Sequence, residues 1–130
     1  MKRILLIACA LGVVSVPAGS WSQQQAAPES GAQTIDIAAE RFSFTPSEVR
    51  TTVGTRLTIR LTSDDTAHGF RIMGTDVNIE IPKRSRGVAT VTFTPEKAGR
   101  YTFECSKLCG AGHSFMRGAI IVADAARDDR

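Results

Sequence analysis

The sequence predicts an all-β domain, and three features of the chain indicate it. Apolar and polar residues alternate in many short runs, which is the two-residue period of half-buried strands. Glycine and proline, 11 and 5 in number, interrupt these runs and mark turns. No long window shows the 3.6-residue period of an amphipathic helix, so we expect no substantial helix. About eight short strands in a chain of this length favour one sandwich or barrel domain.

The first half of the predicted domain contains three strand candidates. The first run, from Ile35 to Phe44, alternates apolar and polar residues until Thr45-Pro46-Ser47 breaks it. A second candidate covers Glu48–Val53 and ends at Gly54, which permits a turn. The third, Arg56–Leu61, places its apolar residues on one face and its polar residues on the other.

The second half continues the same pattern. A polar loop, Ser63–Thr66, leads to His68, after which Phe70 and Ile72 alternate with smaller or polar residues. The remaining strand candidates are separated by turn signals, the strongest of which is Thr94–Gly99. They are the run through Val77, Ile79 and Ile81, then Val88–Phe93, Arg100–Cys105 and Met116–Ala123.

The N-terminus predicts export. A basic Met1-Lys2-Arg3 precedes the apolar run Ile4–Val16, and small residues follow, as in a signal peptide cleaved after Ala18. This divides the chain into a signal peptide at 1–18, a flexible linker at 19–33, the domain at 34–124 and a polar tail at 125–130. The predicted localisation is therefore periplasmic.

The leader is also compatible with two other interpretations. Leu6-Ile7-Ala8-Cys9 looks like a lipobox, but few apolar residues precede Cys9. A retained anchor would leave the protein on the membrane facing the periplasm. The apolar stretch from Ile4 to Ala18 contains Pro17 and falls short of the roughly 20 residues that a spanning helix needs, so a cleaved signal is the better interpretation.

The net charge excludes nucleic-acid binding as an expected function. Lys+Arg 16 and Asp+Glu 13 give +3, and loss of Lys2 and Arg3 with the signal leaves 14 − 13 = +1. Such a charge is far from that of a polyanion-binding domain. The run Lys83–Arg86 is most simply a solvated turn.

One stretch carries candidate metal ligands. Tyr101–Met116 contains two thiols, an imidazole and a thioether, and one further histidine lies upstream; the donors are His68, Cys105, Cys109, His113 and Met116. Sulfur and imidazole donors favour copper, whereas Mg²⁺ and Ca²⁺ would require oxygens. Taken alone, the two cysteines are also compatible with a disulfide in an oxidising compartment. Zinc could also take two cysteines and two histidines, but the trailing methionine argues for copper.

The motif Cys-x-x-x-Cys-Gly-x-x-His-x-x-Met, with a lone histidine upstream, resembles the CuA centre of cytochrome c oxidase subunit II, particularly of the ba3 type. The similarity covers Ile35 to Asp124. It implies a Greek-key β-sandwich of the cupredoxin type and a centre of two copper ions. It also implies that Cys105 and Cys109 bridge the ions, that His68 and His113 are terminal ligands, and that Met116 is a weak axial ligand. The remaining weak contact, a backbone carbonyl, falls on Lys107.

The resemblance implies electron transfer. The donor would be a cytochrome c or a small blue copper protein, and the acceptor a redox protein that includes the haem-copper subunit of an oxidase. The chain has two histidines in all, too few to hold haem as well, so we expect no enzyme activity from it alone. Two alternatives stay open: a mononuclear blue copper carrier, which would leave Cys105 unexplained, and a copper chaperone or storage protein.

Several neighbouring residues carry secondary expectations. We expect Phe70 and Phe115 to pack around the site rather than to relay electrons, and Met73 to be a packing residue. No tryptophan lies near Phe42, unlike in many subunit II proteins. Positive charge near the metal loop is expected from three side chains, and it predicts a donor less basic than a typical cytochrome c, or one that docks by apolar contact; the three are Arg71, Lys107 and Arg117.

Overall fold

The computed structural model describes residues 31–124, which form nine strands and one short 3₁₀ turn. The expectations for the signal peptide, most of the linker and the tail lie outside these residues. The 3₁₀ turn covers His113–Phe115. The strands are β1 (Ala32–Glu40), β2 (Ser43–Thr45), β3 (Glu48–Thr52), β4 (Arg56–Ser63), β5 (His68–Ile72), β6 (Asn78–Ile81), β7 (Ala89–Phe93), β8 (Gly99–Glu104) and β9 (Arg117–Ala123).

The strands form two packed sheets, which confirms the predicted all-β sandwich. The first sheet has the order β2-β1-β4-β7, and the second has the order β3-β9-β8-β5-β6. The chain changes sheet after β2, β3, β4, β6 and β7, so sequence neighbours often lie in opposite sheets. These crossovers make two pairs parallel, β1 with β4 and β3 with β9, while all the other pairs are antiparallel.

Three phenylalanines join the sheets at the centre of the core. Phe44 of β2 meets the ring edges of Phe70 and Phe103, with ring centroids 5.8 and 5.4 Å apart. All three rings are buried. Aromatic pairs of this kind contribute about 0.5–1.5 kcal/mol beyond the area that they bury. Because β2 belongs to the first sheet and β5 and β8 to the second, these contacts hold the sandwich closed.

Most strand boundaries differ from the sequence prediction by one or two residues, and two differences are informative. The predicted run from Ile35 to Phe44 is two strands, because the chain turns at residues 41–42 and β2 folds back on β1. Val88 lies outside β7 and is half-exposed. Among residues 31–124, no helix has the length and apolar character needed to cross a membrane.

One end of the sandwich holds all the candidate ligands, and we call it the site end. The loop 64–67 joins β4 to β5 there, and the loop 105–116 joins β8 to β9. The register pairs Glu104 with Arg117 and Arg71 with Glu104, so the 105–116 loop emerges beside β5. The fold therefore brings His68 next to a loop that lies far along the sequence.

Candidate metal centre

The 105–116 loop places its two thiols side by side. The Cys105 amide donates to the Met116 carbonyl oxygen at 3.0 Å, which closes the base of the loop. The Sγ atoms of Cys105 and Cys109 are 3.8 Å apart. Both cysteines are free and buried, at 4% and 7% exposed. Two sulfurs so close together in the protein interior form a compact pair of soft ligands.

His68 approaches this pair from the second sheet. Its Nδ1 atom lies 4.0 Å from Cys105 Sγ, and its ring is fully buried at the start of β5. The Nε2 atom lies 2.7 Å from Asp65 Oδ1. A neutral imidazole that donates from Nε2 to this carboxylate keeps the Nδ1 lone pair directed towards the sulfurs. The donor atoms of His68, Cys105 and Cys109 all lie within 4.8 Å of one another.

The Asp65 carboxylate is held by several donors. Burial raises its pKa, but hydrogen bonds from His68 and from the backbone amides of Thr66 and Arg41 outweigh burial, so the pKa is lowered. The two amides lie 2.7 and 3.0 Å from its oxygens. Asp65 is therefore ionised at neutral pH and fixes the orientation of the His68 ring.

His113 and Met116 lie on the other side of the sulfur pair. His113 Nδ1 is 3.8 Å from Cys109 Sγ, and Met116 Sδ is 3.9 Å from the same sulfur. On the first side, the Lys107 carbonyl oxygen is 3.1 Å from Cys105 Sγ. The structure thus brings together all six residues predicted from the sequence. The two cysteines form the sulfur pair, and each has a histidine and a weaker donor beside it.

The protein environment keeps at least one thiol protonated until a metal binds. Burial and the adjacent Cys105 thiol raise the pKa of Cys109 from 9.0 to about 11. A metal ion requires thiolates, so binding must displace protons from these sulfurs.

Residues outside the predicted set position the ligands. Arg41 donates from its backbone amide to Asp65 and from Nε to the Cys109 carbonyl oxygen at 2.9 Å, so one residue ties both loops together. The Gly69 amide donates to Cys105 Sγ at 3.4 Å. Asp65, Arg41 and Gly69 were not among the site residues predicted from the sequence. A signal existed for Asp65, a carboxylate three residues before a histidine in a polar loop, but Arg41 lies too far along the chain to be found by spacing.

Close approach explains two of the glycines. A Cβ atom on Gly69 would lie 2.7 Å from the Lys107 amide nitrogen, and one on Gly112 would lie 2.2 Å from the Phe42 ring. Real Cβ atoms essentially never show such contacts. Gly69 therefore lets β5 pass against the 105–116 loop, and Gly112 lets that loop pack on Phe42.

Three expectations about neighbouring residues are corrected. Phe115 is 82% exposed and Met73 is 47% exposed, because Phe115 ends the 3₁₀ turn at the surface and Met73 lies just past the end of β5; Phe70 is buried as expected. The expected positive charge near the loop is largely neutralised. Arg71 and Arg117 pair with Glu104, and Lys107 pairs with Glu80 at 3.0 Å.

The donor set fits copper. Two thiols, two imidazoles, a thioether and a carbonyl are more donors than one tetrahedral zinc ion takes, and the thioether is a copper ligand rather than a zinc ligand. A shallow depression of about 230 Å³ reaches the surface here, and Cys105, His113 and Met116 contribute to its lining. The arrangement suits a soft metal centre just below the surface.

Comparison with known proteins agrees with this geometry. The family model of the cupredoxin-like domain matches residues 9–122. The chain is 32% identical over 109 residues to cytochrome c oxidase subunit 2 of Thermus thermophilus, covering 82% of this chain and 79% of that protein. A chain of a heme-copper terminal oxidase dimer solved by cryo-electron microscopy superimposes with a TM-score of 0.66 at 28% identity, covering 89% of this chain and 78% of that chain.

A further solved structure shares the fold. The periplasmic domain of cytochrome oxidase subunit II from Bradyrhizobium japonicum superimposes with a TM-score of 0.64 at 21% identity, and the match covers 72% of this chain and 85% of that domain. At this identity the likeness concerns the fold alone.

Proposed function

The chain belongs to the cupredoxin-like family and is related to cytochrome c oxidase subunit 2, and from that premise we propose that it binds two copper ions in a CuA-type centre and transfers electrons. One observation carries the proposal: two buried sulfurs 3.8 Å apart, each with an imidazole nitrogen at 3.8 to 4.0 Å on its own side. In this proposal the thiolates of Cys105 and Cys109, together with the imidazoles of His68 and His113, would hold the two ions. Copper held there supplies a one-electron couple.

The two weaker donors complete the proposed ligand set. Met116 lies on the Cys109 side and the Lys107 carbonyl on the Cys105 side. Two sets of this kind, joined by common sulfurs, would accommodate two ions better than one. A mononuclear blue copper site would use His68, Cys109, His113 and Met116 and leave Cys105 without a role.

The protein contributes rigidity and access. Asp65 and Arg41 hold the ligand loops by hydrogen bonds, so the ligands need little rearrangement when the charge of the site changes. His68 is fully buried, whereas His113 is only partly buried and lies in the same loop as the exposed residues Leu108 and Phe115. The apolar side chains of Leu108 and Phe115 are 81% and 82% exposed, and they offer a contact surface for a redox protein. One of the two redox partners would exchange electrons at this face.

The relationship to an oxidase subunit also supports a proposal about partners and compartment. The donor in this proposal is a cytochrome c or a small blue copper protein, and the acceptor is another redox protein, including the haem-copper subunit of a terminal oxidase. The N-terminal 18 residues would direct the chain to the periplasm. On its own the chain would carry electrons and would reduce no oxygen.

Metal analysis tests this function directly. The copper-loaded chain should hold two ions per chain, and its electron paramagnetic resonance spectrum should show hyperfine coupling to two copper nuclei. Cys105→Ser should lose this two-nucleus signal, while Phe115→Ser, a surface change in the same loop, should retain it. One copper per chain, with a spectrum unaffected by Cys105→Ser, would establish the mononuclear alternative instead.

A further inference from the structure

We propose that the basic turn, residues 83–86, is a docking surface for a redox partner whose own surface is acidic. This inference rests on the proposed function, because the partner is one that exchanges electrons with the metal centre. The sequence alone indicated an ordinary solvated turn here. Its position and its unpaired charges carry the inference.

The turn lies against the loop 64–67, which leads into the proposed ligand His68. The register pairs Ile81, the last residue of β6, with His68, so the chain that follows begins at the site end. The Arg84 amide then donates to the Asp65 carbonyl oxygen at 3.2 Å. Asp65 is also the residue that orients His68. The basic turn and the candidate metal centre therefore both adjoin the loop 64–67.

The turn has a defined shape. The Arg86 amide donates to the Lys83 carbonyl oxygen at 3.0 Å, which closes the turn. Ser85 at its tip has φ +60°, a left-handed backbone conformation. Lys83, Arg84 and Arg86 are all exposed. The backbone that carries these three cations is thus held in a defined turn at the surface.

These charges are not neutralised by the protein, unlike the others near the loop. Within residues 31–124, none of the three forms an ion pair. The adjoining loop contributes two carboxylates, of which Asp65 points inward to His68 and Asp64 is exposed. The surface beside the centre consequently carries more positive than negative charge.

This distribution fits an acidic protein. Complementary charges speed the encounter of two proteins and orient them before contact. Three cations on one turn fall short of the extended basic surface by which a protein neutralises many phosphates. Because the turn adjoins the loop 64–67, which leads into His68, a partner attracted to the turn would come close to the proposed metal centre, as electron transfer requires.

The test uses one redox protein in two charge forms. Cytochrome c is basic, and succinylation of its lysines makes it acidic. With the copper-loaded chain at low ionic strength, the succinylated form should exchange electrons faster, and its rate should fall as salt rises. The triple variant Lys83→Gln, Arg84→Gln, Arg86→Gln should slow this reaction by about tenfold and flatten the salt dependence.

A matched variant removes the same charge from the opposite end. Arg56, Lys97 and Arg100 are exposed there, and their replacement by glutamine should change the rate by less than about twofold. Equal losses in the two triple variants, or a faster reaction with native cytochrome c, would overturn the inference. So would binding of the chain to phosphatidylglycerol vesicles that depends on the basic turn, if the succinylated rate were unchanged in the same variant.

The proposed function fails separately. If neither cytochrome form exchanges electrons, the electron-transfer role is wrong. The docking surface is then judged by the affinity of the copper-free chain for succinylated cytochrome c. That affinity should fall in the basic-turn variant and not in the matched variant; equal affinities would refute the surface.

Discussion

Replacing Asp65 with alanine tests whether one carboxylate orients the buried imidazole of His68, a proposed metal ligand. The carboxylate receives His68 Nε2 at 2.7 Å and the backbone amides of Thr66 and Arg41 at 2.7 and 3.0 Å. Loss of such an outer partner typically weakens metal affinity by about 10- to 100-fold, or about 1.4–2.8 kcal/mol. Hydrogen bonds to an ionised acceptor contribute about 1.5–3 kcal/mol each to the free energy of unfolding. The lower end of this range applies to Asp65, because its side chain is 29% exposed.

The assay is competition for copper between the chain and a chelator, together with urea unfolding of the copper-free chain. Asp64→Ala is the matched control, because this neighbouring carboxylate is exposed and makes no side-chain hydrogen bond within residues 31–124. Copper affinity should fall in Asp65→Ala and stay within about twofold in Asp64→Ala. Equal affinities in the two variants would refute the orienting role.

The same variant has a pH signature. The folded pKa of Asp65 is lowered from 3.8, so its contribution to stability is present above that value and is lost as pH falls through the folded pKa. The difference in unfolding free energy between the unmodified copper-free chain and Asp65→Ala should therefore shrink in acid. A difference that stays constant into strong acid would show that the carboxylate charge is not its source.

Three further outcomes are expected. In the copper-free chain, the folded pKa of Cys109 is raised from 9.0 to about 11, so its contribution to stability is present below pH 9.0 and is lost as pH rises towards 11. The urea midpoint of Cys109→Ser should lack this loss. If the midpoints of the unmodified chain and the variant fall in parallel with pH, the assignment is wrong. Gly69→Ala places a Cβ atom 2.7 Å from a backbone nitrogen of the metal loop and should weaken copper retention, whereas Gly31→Ala meets nothing within 4 Å and should not. Phe103→Ala should lower the unfolding free energy by about 3–5 kcal/mol, and Phe115→Ala by less than about 0.5 kcal/mol while slowing electron exchange; similar stability losses would refute the assigned burial.

The fold class was predictable because alternation reports which face of a strand is buried. Leu57, Ile59 and Leu61 alternate with polar residues, and all three are buried in the structure. The parallel pairing of β1 with β4 and of β3 with β9 was not predictable, since it depends on where the chain crosses between sheets. Alternation within one strand carries no information about its neighbours.

The candidate site was also predictable from the sequence only in part. Its sulfur and imidazole donors stand at short spacings in one loop, so the sequence displays them together, and only His68 had to be supplied by the fold. The charge contributed by Arg71, Lys107 and Arg117 was misjudged, because Glu80 and Glu104 reach these side chains from neighbouring strands. Arg41 was missed for a similar reason: its hydrogen bond to Cys109 spans 68 positions of the chain.

Arg41 lies at the corner between β1 and β2, in the first sheet, yet it bonds to both ligand loops. The loop 105–116 belongs to the second sheet, so its final shape requires that the two halves of the sandwich have already met. A substitution that loosens the packing of the two sheets should therefore also disturb both ligand loops, even where it lies far from them in the sequence.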